Sequence, residues 1–239
     1  MVPNGLQGTP EILADVTKVK GTSLIPNQQP TKVDILKRAD CYQQYCLKFD
    51  DVAVLHSYPM YLHTLLLESD PDVISFVPRP YRLRVGRRDY VPACYVARTG
   101  GRDVIDISPH GEMAEALQRP LAAYFDWHDL TFSVVSEESL LEQETLALNW
   151  LPLIQVLVAA RQLGLETTEL ECRLLHEIVA GSASEVGDLL QPGRREEQFL
   201  EEVALYRLIH QRRVAVDLSR APLDFDTVVT PWHSLGASD

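Results

Sequence analysis

Seven arginines crowd the stretch between positions 79 and 102: Arg79, Arg82, Arg84, Arg87, Arg88, Arg98 and Arg102, with Asp89 as the one acid among them. A guanidinium presents its donors as a planar fork that matches phosphate and carboxylate oxygens. Neutralised phosphates supply most of the affinity in non-specific nucleic-acid binding. The chemistry open to this cluster is therefore to hold DNA or an acidic protein surface. Arg82 and Arg84 share one strand face, because strand side chains alternate with period two, and Arg87 and Arg88 fall at a hairpin tip. The same charges also suit a solvent-facing edge that resists sheet-to-sheet association. Other chemistries have less footing. The histidines, His56, His63 and His128 among them, are scattered without metal-ligand spacing, so no zinc site is expected. No G-x-S-x-G, phosphate loop or dinucleotide fingerprint occurs. Cys41, Cys46, Cys94 and Cys172 form no C-x-x-C pair and read as reduced thiols. Tyr124, Phe125 and Trp127 are expected to pack between two domains rather than to stack on bases.

The chain that must position these groups has 239 residues, with 22 bases against 34 acids and a formal charge of −12. At 46% hydrophobic and 23% charged it can bury a sizeable core. The acidic total argues against a generic nucleic-acid coat and leaves room for a local basic site. No apolar run is long enough for a membrane span, and the first residues lack a basic region followed by an apolar core. A cytoplasmic protein with no membrane partner is expected.

Residues 1–40 are rich in Gly, Pro, Asn, Gln and Thr and read as a poorly ordered arm. Residues 41–140 read as an α/β domain: a helix over 57–69 capped by Ser57, strands over 74–85, 89–98 and 103–108, a helix over 111–124 and a strand over 130–135. The order is α-β-β-β-α-β. Residues 141–239 read as a mostly helical, winged-helix-like domain. A long helical pattern runs over 137–163 with a bend expected at Pro152. Helices follow over 168–180, 184–190 and 194–210, and a two-stranded wing over 214–218 and 227–230.

That core order, with a winged-helix-like second half, resembles the TnsA endonuclease subunit of heteromeric transposases over roughly residues 40–230. The stretches that carry the resemblance are LESDPDVISFVPRPYRLR, RRDYVPACYVARTGGRDVIDIS and IHQRRVAVDLSRAPLDFDTVV. It implies a restriction-endonuclease-like fold in which carboxylates on adjacent strands hold Mg²⁺, which clamps the scissile phosphate and activates water. Carried over by position, the helix carboxylate falls at Met60, the Pro-Asp pair at Pro92-Ala93, the third-strand carboxylate at Asp106 and the lysine at Ser108. A thioether and a methyl group do not ligate a hard cation, and a serine carries no charge. The resemblance therefore implies a degenerate site with no catalytic residue set intact, no cofactor, and no metal ligand beyond Asp106. Glu68, Asp89 and Asp103 are the acids from which an active, Mg²⁺-dependent alternative would have to be rebuilt, although Asp103 and Asp106 point to opposite strand faces.

The partners implied are a DDE-type transposase, an ATPase regulator and DNA, in transposition or recombination. In the helix over 194–210, Glu196, Glu197, Glu201 and Glu202 repel phosphates, while Arg207, Arg212 and Arg213 offer base only at its far end and just beyond. Protein contact suits this helix better than base readout. A DNA-binding regulator outside transposition is the remaining alternative.

Overall fold

The structure is a computed structural model that describes residues 10–21, 23–31, 40–181, 184–191, 193–194 and 196–232. Described residues within Met1–Gln44, Lys48–Tyr61 and Asp72–Glu142 form one compact unit. Those within Tyr45–Leu47, Leu62–Pro71 and Gln143–Asp239 form a second. The architecture is mixed α/β, as the hydrophobic periodicities indicate.

The expectation of a poorly ordered arm needs correction over residues 10–21. They form helix α1 (Pro10–Val16) and strand β1 (Val19–Gly21), while 1–9, 22 and 32–39 lie outside the described residues. The local composition hides this order because the partners are distant in sequence. Val19 is buried beside Leu83, Leu121 and Phe125. Asp15 takes Lys18 Nζ at 2.7 Å and Arg119 Nε at 2.6 Å. Residues 27–29 continue as a strap: the N–H groups of Asn27 and Gln29 donate to the carbonyls of Pro80 and Arg79 at 3.1 and 2.9 Å. Strands β2 (Tyr42–Cys46) and β3 (Asp51–Leu55) pair as a two-stranded sheet.

Helix α2 (Tyr58–Ser69) starts where expected, and the Ser57 hydroxyl accepts the Met60 N–H at 3.3 Å, satisfying a first-turn donor that has no partner within the helix. The next expected strand is in fact two, β4 (Val73–Pro78) and β5 (Leu83–Val85). Pro78 and Pro80 flank Arg79, whose φ is 50°; proline offers no N–H to a ladder, so the first strand ends there. The following strand divides likewise around Val91-Pro92-Ala93 into β6 (Arg88–Tyr90) and β7 (Cys94–Arg98). Strands β5 and β6 thus form a hairpin inserted into the main meander, and β1 pairs with β5 to make a separate sheet in the order β1-β5-β6. Gly86, with φ 60°, supplies the positive dihedral at the first position of the two-residue turn.

The main sheet is completed by β8 (Gly101–Ser108) and, after helix α3 (Glu115–Asp126), by β9 (Thr131–Ser136). Its order is β4-β7-β8-β9, antiparallel except for the β8–β9 pair, which is parallel. Helix α4 (Glu137–Glu142) closes this unit. Tyr124 and Phe125 lie in its core with Tyr81 and Val104, which corrects their expected role between domains, and Trp127 is 43% exposed.

In the second unit, α5 (Glu144–Gln162) begins after a break at Gln143 and runs unbroken through Pro152. An interior proline costs about 3 kcal/mol. Burial of Trp150, Leu153, Ile154 and Leu157, at roughly 1.5–3 kcal/mol for each aliphatic side chain, outweighs it. Helices α6 (Thr168–Val179), α7 (Val186–Leu189) and α8 (Phe199–His210) follow, then β10 (Val214–Ala215) and β11 (Thr230–Pro231), an antiparallel pair. Helix α8 is largely interior: Val203, Ala204, Leu205, Leu208 and Ile209 are all buried. Arg207 is spent inside the unit on Thr167 Oγ1 and, at 2.8 Å, on the Leu165 carbonyl. Among the described residues no helix is long and apolar enough to cross a membrane.

A Cβ on Gly21 would lie 2.8 Å from Leu83 Cδ2 and 2.9 Å from Tyr124 Oη. Gly21→Ala is therefore expected to force β1 off β5 at a cost of about 1–3 kcal/mol, the usual penalty of overpacking. Hydrogen exchange should show lost protection at Lys20, which pairs with Arg84, and at Gly86, whose N–H donates to the Lys18 carbonyl; unchanged protection would contradict the seating of this strand.

Candidate functional site

The arginine cluster does not stay together. Burial along residues 81–85 alternates strictly, with Tyr81, Leu83 and Val85 inside and Arg82 and Arg84 outside. Arg87 and Arg88 are exposed at the turn. Among the described residues no ion pair engages these four side chains. Lys20 of β1 and Asp89 of β6 stand opposite Arg84 on either side, so the outer face of this sheet is a basic ribbon relieved by one acid. Sequence reading missed Lys20 because it placed the arm outside the fold. Arg98 is committed to Asp103 at 3.0 Å, and Arg102 Nη2 reaches the Asp129 carbonyl at 3.3 Å.

Arg79 has gone inward. It is only 6% exposed. Its Nη1 donates to Thr31 Oγ1 at 2.7 Å and its Nη2 to the Pro30 carbonyl at 3.4 Å. The same Thr31 oxygen lies 2.8 Å from His56 Nε2. Arg79 and His56 border a cavity of about 210 Å³, together with Ser57, Met60, Val91, Pro92, Ala93, Asp106, Ile107 and Glu137. Three of the four positions singled out from the sequence, Met60, Ala93 and Asp106, thus line one cavity. They arrive from the first turn of α2, the approach to β7 and the middle of β8. Ser108, two residues beyond Asp106, has a buried Oγ with no hydrogen-bond partner. His56, Arg79 as a wall residue, Tyr90 and Glu137 were not legible as members of this group, because they converge from four separate segments.

Asp106 is the chemical centre of the cavity. Its Oδ2 accepts the Tyr90 hydroxyl at 2.8 Å, and its Oδ1 accepts the Ile107 N–H at 3.0 Å. Burial raises its carboxyl above the ordinary range, against the hydrogen bonds from Tyr90 and the backbone, which favour the charged form. Burial, then the adjacent Asp106, pushes the Tyr90 phenol far up, so it stays a hydrogen-bond donor. His56 is lowered by burial first and then by Arg79.

This donor set does not fit a magnesium ion, which demands near-octahedral oxygen ligands. The four carried-over positions offer a thioether, a methyl group, a hydroxyl, and one carboxylate already accepting two hydrogen bonds. The acids considered as replacements are elsewhere. Asp103 is paired with Arg98, and Asp89 is exposed on the hairpin. Glu68 is fully buried in the second unit, 3.7 Å from His210 Nε2. Glu137 is the acid that does share the cavity with Asp106. Among the described residues no three His, Cys, Asp or Glu side chains gather so as to hold a metal ion.

A carboxyl with a raised folded pKa keeps its proton where the unfolded chain, at about 3.9, has lost it. Its contribution to stability is therefore greatest in acid and declines as pH climbs through the interval toward the folded value. Asp106→Asn keeps an acceptor for Ile107 and a partner for Tyr90 while removing the buried charge. Thermal melts should show this variant more stable than the parent at pH 7, with the gap closing toward about pH 3. A variant less stable at pH 7 would contradict this account of Asp106.

No family model matches this chain, and no curated protein matches it.

Proposed function

We propose that this protein is a catalytically degenerate relative of the TnsA endonuclease subunit, acting as a DNA- and transposase-binding scaffold in transposition or recombination. The observation that carries the reading is the convergence of Met60, Ala93 and Asp106 on one cavity. It arises from a sheet whose elements follow the order α2-β4-β7-β8-α3-β9. These are the places where a nuclease of restriction-endonuclease-like fold keeps its metal ligands, and two of the three side chains here have no hard oxygen to offer. The basic outer ribbon supplies what a scaffold needs, a surface for DNA phosphates.

The second unit supports a winged-helix reading. Helix α6 is followed by a bridge between Glu185 and Val228, then α7, α8 and the β10–β11 ribbon. With α8 interior and Arg207 engaged within the unit, this domain suits protein contact better than base readout. A DDE-type transposase and an ATPase regulator are the partners the reading names.

Two measurements test it. Incubated with Mg²⁺ or Mn²⁺ and transposon-end DNA, the protein should not nick; cleavage that Asp106→Ala abolishes would overturn the degenerate-site reading. DNA binding followed by anisotropy across salt concentrations should weaken in the Arg87→Ala/Arg88→Ala variant. The slope of log K against log salt should fall by about 2, since each phosphate contact contributes roughly 0.9. An unchanged slope would remove the hairpin from the DNA-binding surface.

A further inference from the structure

Arg79 is a buried guanidinium without a carboxylate partner among the described residues. Taking such a charge out of water is unfavourable unless an opposite charge or a full set of acceptors replaces the lost hydration. Among the described residues Arg79 has two acceptors, both neutral, for five N–H donors. The wall it forms is short of negative charge.

The neighbouring groups on that wall are also donors. Arg79 donates to Thr31 Oγ1, which also lies 2.8 Å from His56 Nε2, and in either tautomer the His56 ring carries at least one N–H donor. Ser57 and Met60 bring the amino end of α2, the positive end of its dipole, to the cavity, with no acid in its own first turn. Asp106 and Glu137 face these donors as acids. The oxygens of Asp106 each accept a hydrogen bond, from Tyr90 and Ile107. Among the described residues no hydrogen bond within the cavity engages Glu137, and both acids oppose an anion there. At about 210 Å³ the cavity is smaller than the roughly 300–1,000 Å³ typical of drug-sized ligands. It suits one tetrahedral group rather than a whole nucleotide.

We infer that this cavity binds a single phosphate group through Arg79 and His56, without a metal ion. The site is separate from the exposed hairpin and does not depend on the scaffold reading. The phosphate is either free in solution or the terminal phosphate of a nucleic-acid strand.

The test uses the full chain in chloride buffer, titrated with inorganic phosphate by calorimetry and thermal melts. The parent should bind, and the Arg82→Ser/Arg84→Ser/Arg87→Ser/Arg88→Ser variant should bind equally. Arg79→Met, which keeps the stem and the same backbone demand, should bind at least ten-fold more weakly. Glu137→Gln should bind several-fold more tightly. A 5′-phosphorylated single strand that outcompetes its 5′-hydroxyl counterpart, in the parent and not in Arg79→Met, assigns the ligand to a strand end; equal competition assigns it to free phosphate. Absence of phosphate binding by the parent overturns the inference, as does binding unaltered in Arg79→Met or lost in the hairpin variant instead. Should Arg79→Met fail to fold, Glu137→Gln decides alone: tighter binding upholds the site and unchanged binding overturns it. Failure of the hairpin to bind DNA leaves all these outcomes as they stand.

Discussion

The backbone at Pro78-Arg79-Pro80 governs much of the first unit. Two residues without an N–H flank one held at φ 50°, and no ladder can run through such a triplet. The chain must leave the main sheet there. It crosses to build the β5–β6 hairpin, then returns at Val91-Pro92-Ala93 to resume the meander as β7. The same kink turns the Arg79 side chain inward, and the strap that includes Gln29 and Thr31 closes over it. One local constraint therefore fixes the separation of two sheets, the docking of the arm and the cationic wall of the cavity.

Charge is sorted by that geometry rather than by sequence density. Seven nearby arginines have three fates: four stand in solvent on the hairpin, two are tied to partners around the β7–β8 turn, and one is buried. Only the exposed four, joined by Lys20, can answer to a polyanion on the surface. Asp106 illustrates the opposite case. A lone buried carboxyl is tolerated because Tyr90 and the Ile107 N–H donate to it. Each of those bonds takes one lone pair, one on either oxygen.

In the second unit, polar side chains act as internal fastenings. Arg207 holds the Leu165–Thr167 segment, Asn149 Nδ2 donates to the Leu218 carbonyl at 2.8 Å, and Asp188 accepts the N–H groups of Ser184 and Glu185. A helix recruited this heavily to the core, as α8 is, has little face left for a groove.

The sequence by itself determined the mixed α/β class, the helix that Ser57 caps, the α5 and α6 segments, and the alternation that exposes Arg82 and Arg84. These follow from local periodicity and capping, which each segment carries within itself. Pro80 and Pro92 divide the strands expected over 74–85 and 89–98, a break that the β-branched runs around them conceal. What only the tertiary structure decided was the seating of β1, the inward turn of Arg79, and the meeting of His56, Met60, Ala93, Asp106 and Glu137 around one cavity. The physical reason is that Val19 and Arg79 are stabilised by groups far away along the chain. No window of neighbouring residues contains the free energy that puts them there.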